Sequence, residues 1–230
     1  MTQYQFFTLA DSSKAAGVVI VIDVLRAFTT AAYAFDAGVK KIFPVGEVDE
    51  ALRLRSEMTQ ALVMGEVDGL KPESFDFSNS PAEIARADVA GKDVIQRTSA
   101  GTQGIVRAVN AERIAAASFV VAPVTAKWIQ ALDPPLVSFI ITGEHDDRDG
   151  DEDWACAEYI VELCRKEHPN PQDFTARILT STVGQSFMRG ENKYLFSEDI
   201  EMSQRVGLFN FFMQVAHQND QLVMRPIQEG

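Results

Sequence analysis

The run Val18-Val19-Ile20-Val21-Ile22, followed directly by Asp23 and three residues later by Arg26, limits the fold more than any other feature. Five consecutive β-branched apolar residues are too few for a buried helix and fit a central strand covered on both faces. In open α/β sheets, ligands bind at the carboxyl ends of the strands. The stretch therefore predicts a strand that delivers an acid and a base to a ligand site. Asp23 as a helix cap with Arg26 as its solvated partner is the alternative.

Further apolar runs alternate with segments of helical periodicity along most of the chain. Strands are predicted over 4–9, 18–22, 40–45, 61–64, 93–96, 113–117 and 136–141. Helices are predicted over 28–37, 48–58, 103–109, 124–132 and 154–167, and Ser80-Pro81-Ala82-Glu83 forms a capping box. This alternation predicts an α/β fold, a three-layer α/β/α arrangement with a largely parallel or mixed sheet.

The length of 230 residues suits one α/β domain, and we expect residues 1–230 to form it. Pro169-Asn170-Pro171 ends the last clear helix, so an internal boundary near 169–172 is the alternative. The remainder, from Gln172, is predicted to form further helices with an aromatic cluster at Phe209, Phe211 and Phe212.

Charge and composition narrow the functional class. The net charge of −12 argues against a nucleic-acid binder, which needs a basic surface. No apolar run approaches the ~20 residues that a membrane span requires, and residues 1–5 lack the features of a signal peptide, so we expect a cytoplasmic protein. Homodimer formation is left open. Cys156 and Cys164 would lie about 12 Å apart on one helix, too far for a disulfide, and are interpreted as small buried apolar groups.

Polar side chains follow four of the predicted strands. They are Asp23 with Arg26, then Glu66, then Arg97-Thr98-Ser99, and then Glu144 with the acids up to Asp153. If these strands are parallel, all four sets lie at one edge of the sheet and line a single crevice.

Hard oxygen ligands without a His/Cys cluster select Mg²⁺, or else Mn²⁺ or Ca²⁺, rather than Zn²⁺. The candidate metal ligands are Asp23, Glu66, Glu152 and Asp153. The guanidinium groups of Arg26 and Arg97 suit phosphate, sulfonate or carboxylate. The segment Thr98-Ser99-Ala100-Gly101-Thr102 resembles an anion site at a helix N-terminus. The alternatives are an N-cap for this segment and a dipole-complementing first turn for Glu152 and Asp153.

An ordered set of short motifs resembles the 2-phosphosulfolactate phosphatase family. These are Asp23-Val24-Leu25-Arg26-Ala27, Gly65-Glu66, Asn79-Ser80-Pro81, Thr98-Ser99-x-Gly101-Thr102, Glu152-Asp153 and an Asp220…Pro226 segment. The resemblance implies an α/β/α, Mg²⁺-dependent phosphatase that hydrolyses 2-phospho-3-sulfolactate on the way to coenzyme M. It implies catalytic roles for Asp23, Arg26 and Arg97. It implies substrate contacts at Arg26, Asn79, Ser80, Arg97, Thr98, Ser99, Gly101 and Thr102. Ala100 departs from the family pattern, which has Asn there.

The residues leave parts of the mechanism open. The nucleophile is either a metal-activated water or Asp23 through an aspartyl-phosphate, and His145 is a candidate acid for the leaving alkoxide. Haloacid-dehalogenase and cysteine-phosphatase motifs are absent, as are nucleotide-binding loops. Two alternatives remain: a non-catalytic protein that binds an anionic metabolite in the same cleft, and a phosphatase of the same type that acts on a sugar phosphate.

Overall fold

A computed structural model describes residues 1–58, 60–145, 147–191 and 193–228. Within these ranges the strands are β1 (Gln3–Thr8), β2 (Gly17–Ile22), β3 (Lys41–Val45), β4 (Leu62–Gly65), β5 (Asp93–Arg97), β6 (Ala111–Ala117), β7 (Leu136–Ile141), β8 (Glu144–His145), β9 (Arg148–Asp149), β10 (Phe211–Gln218) and β11 (Gln221–Gln228). The α-helices are α1 (Ala27–Asp36), α2 (Val48–Glu57), α3 (Pro81–Ile84), α4 (Gly101–Arg107), α5 (Ala122–Leu132), α6 (Asp151–Cys164), α7 (Pro171–Thr180), α8 (Thr182–Arg189) and α9 (Ser197–Ser203).

The main sheet is mixed, and its strand order is β1-β7-β2-β6-β10-β11-β3-β5-β4. One block of parallel strands contains β1, β7, β2 and β6, and a second contains β3, β5 and β4. The antiparallel β10–β11 hairpin joins them, pairing with β6 on one side and with β3 on the other. The predicted α/β fold with a mixed sheet is confirmed. Strand β2 lies in the interior of the sheet, and its apolar residues are buried.

The prediction of only helices after Gln172 is wrong for the last part of the chain. Helices α7, α8 and α9 are followed by two strands that occupy the middle of the sheet. The turn between them consists of Asn219 and Asp220, both with positive φ (49° and 63°). A two-residue loop with positive φ at both positions matches the twist of a hairpin, and Asn and Asp tolerate that conformation. Asn219-Asp220 between two alternating runs was the sequence signal for this hairpin.

Three antiparallel pairings separate the two parallel blocks, so β4 and β5 run opposite to β2 and β7. The expectation that all four strands are parallel and end at one edge is therefore wrong. Helix α4, which follows β5 in one block, nevertheless contacts β2 in the other as well as β3. A Cβ atom added at Gly104 would lie 2.6 Å from Val21 Cγ1 and 2.8 Å from Thr142 Cγ2. The missing side chain thus lets α4 approach β2 closely. Helix α4 therefore packs against strands of both parallel blocks.

Smaller expectations can be checked in the same way. Cys156 is buried, Cys164 is half-buried, and both are free thiols whose pKa values burial raises. The capping box is half formed: Ser80 Oγ accepts from Glu83 N at 3.2 Å, but the Glu83 carboxylate accepts from Ser78 N instead of reaching back to residue 80. Across the described residues, every helix is too short or too polar to cross a membrane.

Candidate active site

Asp23 lies at the carboxyl end of β2, where the chain turns into α1 through a cis Leu25–Arg26 peptide bond. Its side chain is 6% exposed, and its Oδ1 accepts a hydrogen bond from Ala27 N at 2.8 Å. Asp23 therefore caps α1, as the alternative interpretation of this stretch predicted. Its second oxygen, Oδ2, accepts a hydrogen bond from Thr142 Oγ1 at 3.3 Å.

Two further carboxylates lie behind Asp23 in the first turn of α6. Glu152 and Asp153 are each 1% exposed. Asp153 Oδ1 accepts from Val24 N and its Oδ2 accepts from Gly143 N, both at 2.8 Å. Glu152 Oε2, in contrast, is buried without a hydrogen-bond partner among the described residues. The first-turn position complements the helix dipole, but this does not account for the complete burial of both acids.

Burial and mutual repulsion make these carboxyl groups reluctant to ionise. The pKa of Asp23 is raised to about 7, mainly by burial and also by the charges of Glu66 and Glu152, while the hydrogen bond from Ala27 N acts in the opposite direction. Burial is also the main cause of the raised pKa values of Glu152 and Asp153, and Glu152 and Asp23 contribute to the shift at Asp153. A group of buried acids is electrostatically unfavourable unless protons or cations neutralise it.

Glu66 follows β4 and reaches the same site from the other block of the sheet. Its Oε1 accepts from Ser99 N at 2.5 Å, and its Oε2 accepts from Gly69 N at 2.6 Å. Ser99 Oγ lies 3.2 Å from Glu66 Oε2. Backbone N–H groups from two loops therefore hold the Glu66 carboxylate at the end of β5, close enough to Asp23 for their charges to interact.

Arg26 is not a solvated partner of Asp23. It is 4% exposed, forms a 2.8 Å ion pair with Asp199, and donates to Tyr194 O. Its guanidinium carbon lies 5.1 Å from the centre of the Phe187 ring. Asp199 is completely buried and also accepts from Ser80 Oγ at 2.7 Å. The sequence analysis missed Asp199 because an acid in the first turn of a helix has no distinctive pattern.

Four residues that were predicted to contact the substrate instead form hydrogen bonds within the protein or are buried. Arg97 donates to Gly46 O and Glu66 O. Thr98 and Thr102 bond reciprocally, since each hydroxyl accepts from the other residue's backbone N–H, at 2.8 and 3.0 Å. This is the capping alternative for the segment. Ser80 is fully buried. None of these four lines the cavity described next, so their predicted substrate contacts receive no support from the geometry.

A cavity of about 360 Å³ opens over Asp23 and Glu66. Of the predicted site residues, Asp23, Arg26, Glu66, Asn79 and Ser99 line it. Asn79 Oδ1 is buried and lacks a hydrogen-bond partner among the described residues. Gly101 does not line the cavity but contacts Asp23, because an added Cβ would lie 2.6 Å from Asp23 Oδ2. Other lining residues were not predicted, and they include Asp68, Arg148, Thr182, Ser186 and Glu191.

His145, the candidate acid for the leaving group, also lines the cavity. Asp146, part of the acidic loop, lies outside the described residues. Among the residues that the structure does describe, no three His, Cys, Asp or Glu side chains form a ready-made metal cluster. The donor chemistry nevertheless suits a hard cation, since Glu152 Oε2 is buried without a partner and Asp23 is crowded by other acids.

The site defined by the fold is that of an α/β enzyme with buried acids under an anion-sized cavity, and the comparisons with known proteins identify its class. A model of the family described as 2-phosphosulpholactate phosphatase matches residues 6–217. The chain therefore belongs to this family, whose name is that of a phosphoric monoester hydrolase. This confirms the resemblance recognised in the motifs.

Curated relatives carry the same description. A probable 2-phosphosulfolactate phosphatase of Bacillus subtilis (strain 168) is 33% identical over 201 residues, which is 87% of this chain and 87% of the relative. A probable 2-phosphosulfolactate phosphatase of Carboxydothermus hydrogenoformans is 37% identical over a region that is 65% of this chain and 61% of the relative. A probable 2-phosphosulfolactate phosphatase of Clostridium perfringens (strain SM101 / Type A) is 36% identical over a region that is 68% of this chain and 65% of the relative.

Proposed function

We propose that this protein is a Mg²⁺-dependent phosphatase that hydrolyses a small acidic phosphomonoester, 2-phosphosulfolactate or a related phospho-hydroxyacid. Family membership supports phosphomonoester hydrolysis. The observation that carries the mechanism is Asp23, a buried carboxylate held by hydrogen bonds at both oxygens, one from Ala27 N and the other from Thr142 Oγ1. Such a group is preoriented either to attack a phosphoryl group or to orient a water molecule that does so.

The sequence predicts Asp23, Glu66, Glu152 and Asp153 as metal ligands, and we propose that the first three would hold the ion directly. When bound, a divalent cation neutralises charge on the phosphoryl oxygens and on the carboxylates around it. The structure distinguishes the two acids of α6, since both oxygens of Asp153 already accept backbone N–H groups, whereas Glu152 Oε2 has no partner. We therefore assign direct metal contact to Glu152 and a positioning role to Asp153.

The remaining residues prepare the site for an anion. The Arg26 guanidinium borders the cavity while Asp199 and Phe187 fix its position, so it presents a defined positive charge beside Asp23. Asn79 adds an amide without an internal partner for its oxygen. His145 borders the same cavity, and we propose that it protonates the leaving alkoxide.

The decisive test is hydrolysis of 2-phosphosulfolactate and of p-nitrophenyl phosphate by the purified protein, after EDTA treatment and then with Mg²⁺ restored. We expect phosphate release that requires Mg²⁺, and a rise in melting temperature on Mg²⁺ addition in the absence of substrate. A protein that binds Mg²⁺ and sulfolactate but releases no phosphate from either ester would instead be a metabolite-binding member of the family. Faster hydrolysis of sugar phosphates than of phospho-hydroxyacids would transfer the proposal to that substrate class.

A further inference from the structure

We infer that Arg148 recognises the second acidic group of the substrate and so determines selectivity for phosphorylated acids; the inference rests on the proposed function. Arg148 lines the cavity and belongs to β9, which pairs with β8 in a short antiparallel hairpin. This residue was not among the predicted site residues, and no motif of the sequence pointed to it.

The geometry of the hairpin directs Arg148 to the cavity. Directly paired residues on antiparallel strands have side chains on the same face, and successive residues alternate between faces. Neither member of the pair Glu144–Asp149 lines the cavity: Glu144 Oε2 accepts from Trp154 Nε1 at 2.7 Å, and Asp149 Oδ1 accepts from Thr182 N at 3.1 Å. The opposite face carries the pair His145–Arg148, and both of these residues line the cavity.

The charges of the cavity indicate what Arg148 binds. Its acidic lining residues are Asp23, Glu66, Asp68 and Glu191, and its arginines are Arg26 and Arg148. Arg26 has its charge paired with Asp199, whereas Arg148 is exposed and has no ion pair with any described residue. An acidic cavity in a chain of net charge −12 can hold a multiply charged anion only where local cations offset the field.

The two charged groups of a phosphorylated acid would therefore bind at different parts of the cavity. The phosphoryl group belongs beside Asp23, where the proposed chemistry occurs. A guanidinium on the hairpin, with its planar pair of donors, matches a carboxylate or sulfonate. A volume of about 360 Å³ is sufficient for a small molecule that carries both groups.

The test compares the wild-type enzyme with Arg148→Ala, Arg148→Lys and the control Arg107→Ala. Arg107 is also exposed but lies in the last turn of α4 and outside the cavity lining. Each variant is assayed with 2-phospholactate, which has a carboxylate beside the ester, and with p-nitrophenyl phosphate, which has none. Melting temperatures confirm that the variants are folded, as expected for an exposed side chain.

The measured quantity is the ratio of kcat/KM for 2-phospholactate to that for p-nitrophenyl phosphate. We expect Arg148→Ala to lower this ratio by about ten- to a hundredfold, the range for a lost charged hydrogen bond, mainly through KM. Arg148→Lys should lose less, and Arg107→Ala should keep the wild-type ratio. A ratio that Arg148→Ala leaves unchanged, whether both activities fall or neither does, overturns the inference. If wild-type enzyme with Mg²⁺ hydrolyses neither ester, the proposed function itself fails and the inference falls with it.

Discussion

Asp153 and Val24 are 129 residues apart in the chain, yet Asp153 Oδ1 accepts a hydrogen bond from Val24 N at 2.8 Å. The other carboxylate oxygen accepts from Gly143 N. A single side chain from α6 thereby connects the loop after β2 to the loop after β7. This bridge holds the segment that follows Asp23, so the Asp153 carboxylate has a structural role at both oxygens, whereas Glu152 Oε2 has no hydrogen-bond partner among the described residues.

This difference between Asp153 and Glu152 predicts that isosteric changes at the two positions affect stability differently. Asp153→Asn places an NH₂ group against one of two backbone N–H donors, and we expect a loss of about 1–3 kcal/mol in the free energy of unfolding. Glu152→Gln removes a crowded acid whose Oε2 has no partner, so the metal-free protein should be equally stable or more stable. Urea denaturation in EDTA measures both. Equal destabilisation by the two changes would contradict the division of roles.

Asp23→Asn should abolish turnover while the fold stays intact. The amide keeps an oxygen for Ala27 N but provides neither a nucleophile nor a charged ligand, so we expect kcat to fall by about a thousandfold or more. Asp36→Asn, at an exposed position in the last turn of the helix that follows Asp23, is the matched control and should retain wild-type kcat. Steady-state phosphate release and melting temperature check the pair. Near-wild-type activity of the Asp23 variant would exclude this residue from the chemistry.

The site and fold were predictable from the sequence to different degrees. The β2 run and Asp23 could be read directly, because five β-branched residues before an acid leave few structural options. The sequence alone could not show that Arg97 and Thr98 have structural rather than substrate-binding contacts. Their partners, Gly46 O and Thr102, become known only from the folded chain. Asp199 was invisible for the same reason: its significance is the ion pair with a residue 173 positions earlier.

The raised pKa values predict how stability depends on pH without metal. The pKa of Asp23 rises from an ordinary value of 3.8 to about 7 in the folded protein. The folded state therefore binds more protons than the unfolded state between about pH 4 and pH 7, and the free energy of unfolding falls as pH rises through this window. Glu152 and Asp153 shift in the same direction.

Thermal unfolding in EDTA should therefore give a higher melting temperature at about pH 5.5 than at about pH 8. Mg²⁺ should recover more stability at the higher pH, where protons no longer compete for the carboxylates. The Asp23→Asn variant should show a weaker pH dependence than the wild type. A melting temperature in EDTA that rises steadily from acid to alkaline pH would contradict this sign.

The buried ion pair between Arg26 and Asp199 predicts strong coupling. Asp199→Ala leaves the Arg26 guanidinium buried at 4% exposure without its carboxylate, which should cost about 3–5 kcal/mol. The Arg26→Ala/Asp199→Ala double variant should be less destabilised than the sum of the single changes, because neither charge is then left unpaired. Denaturant titration of the four proteins gives the coupling energy, and strict additivity would show that the pair acts independently.

Gly101 lies so close to Asp23 that the structure leaves no space for a side chain at this position. An added Cβ would lie 2.6 Å from Asp23 Oδ2 and 2.7 Å from Ala27 Cβ, closer than nonbonded atoms tolerate. Gly101 φ is not in the left-handed region, so Gly101→Ala alters packing rather than backbone conformation. The change should displace either Asp23 or the start of α4, at a cost of about 1–3 kcal/mol in stability.

Catalysis should be more sensitive than stability, because a shift of about 1 Å in a reacting carboxylate costs on the order of a hundredfold in rate. Gly46→Ala is the matched control, since its Cβ would meet nothing closer than 3.8 Å and its φ is also ordinary. We expect Gly46→Ala to retain most of the wild-type kcat and Gly101→Ala to lose it while remaining folded by circular dichroism. Comparable kcat values for the two variants would show that the position of Asp23 Oδ2 does not limit the reaction.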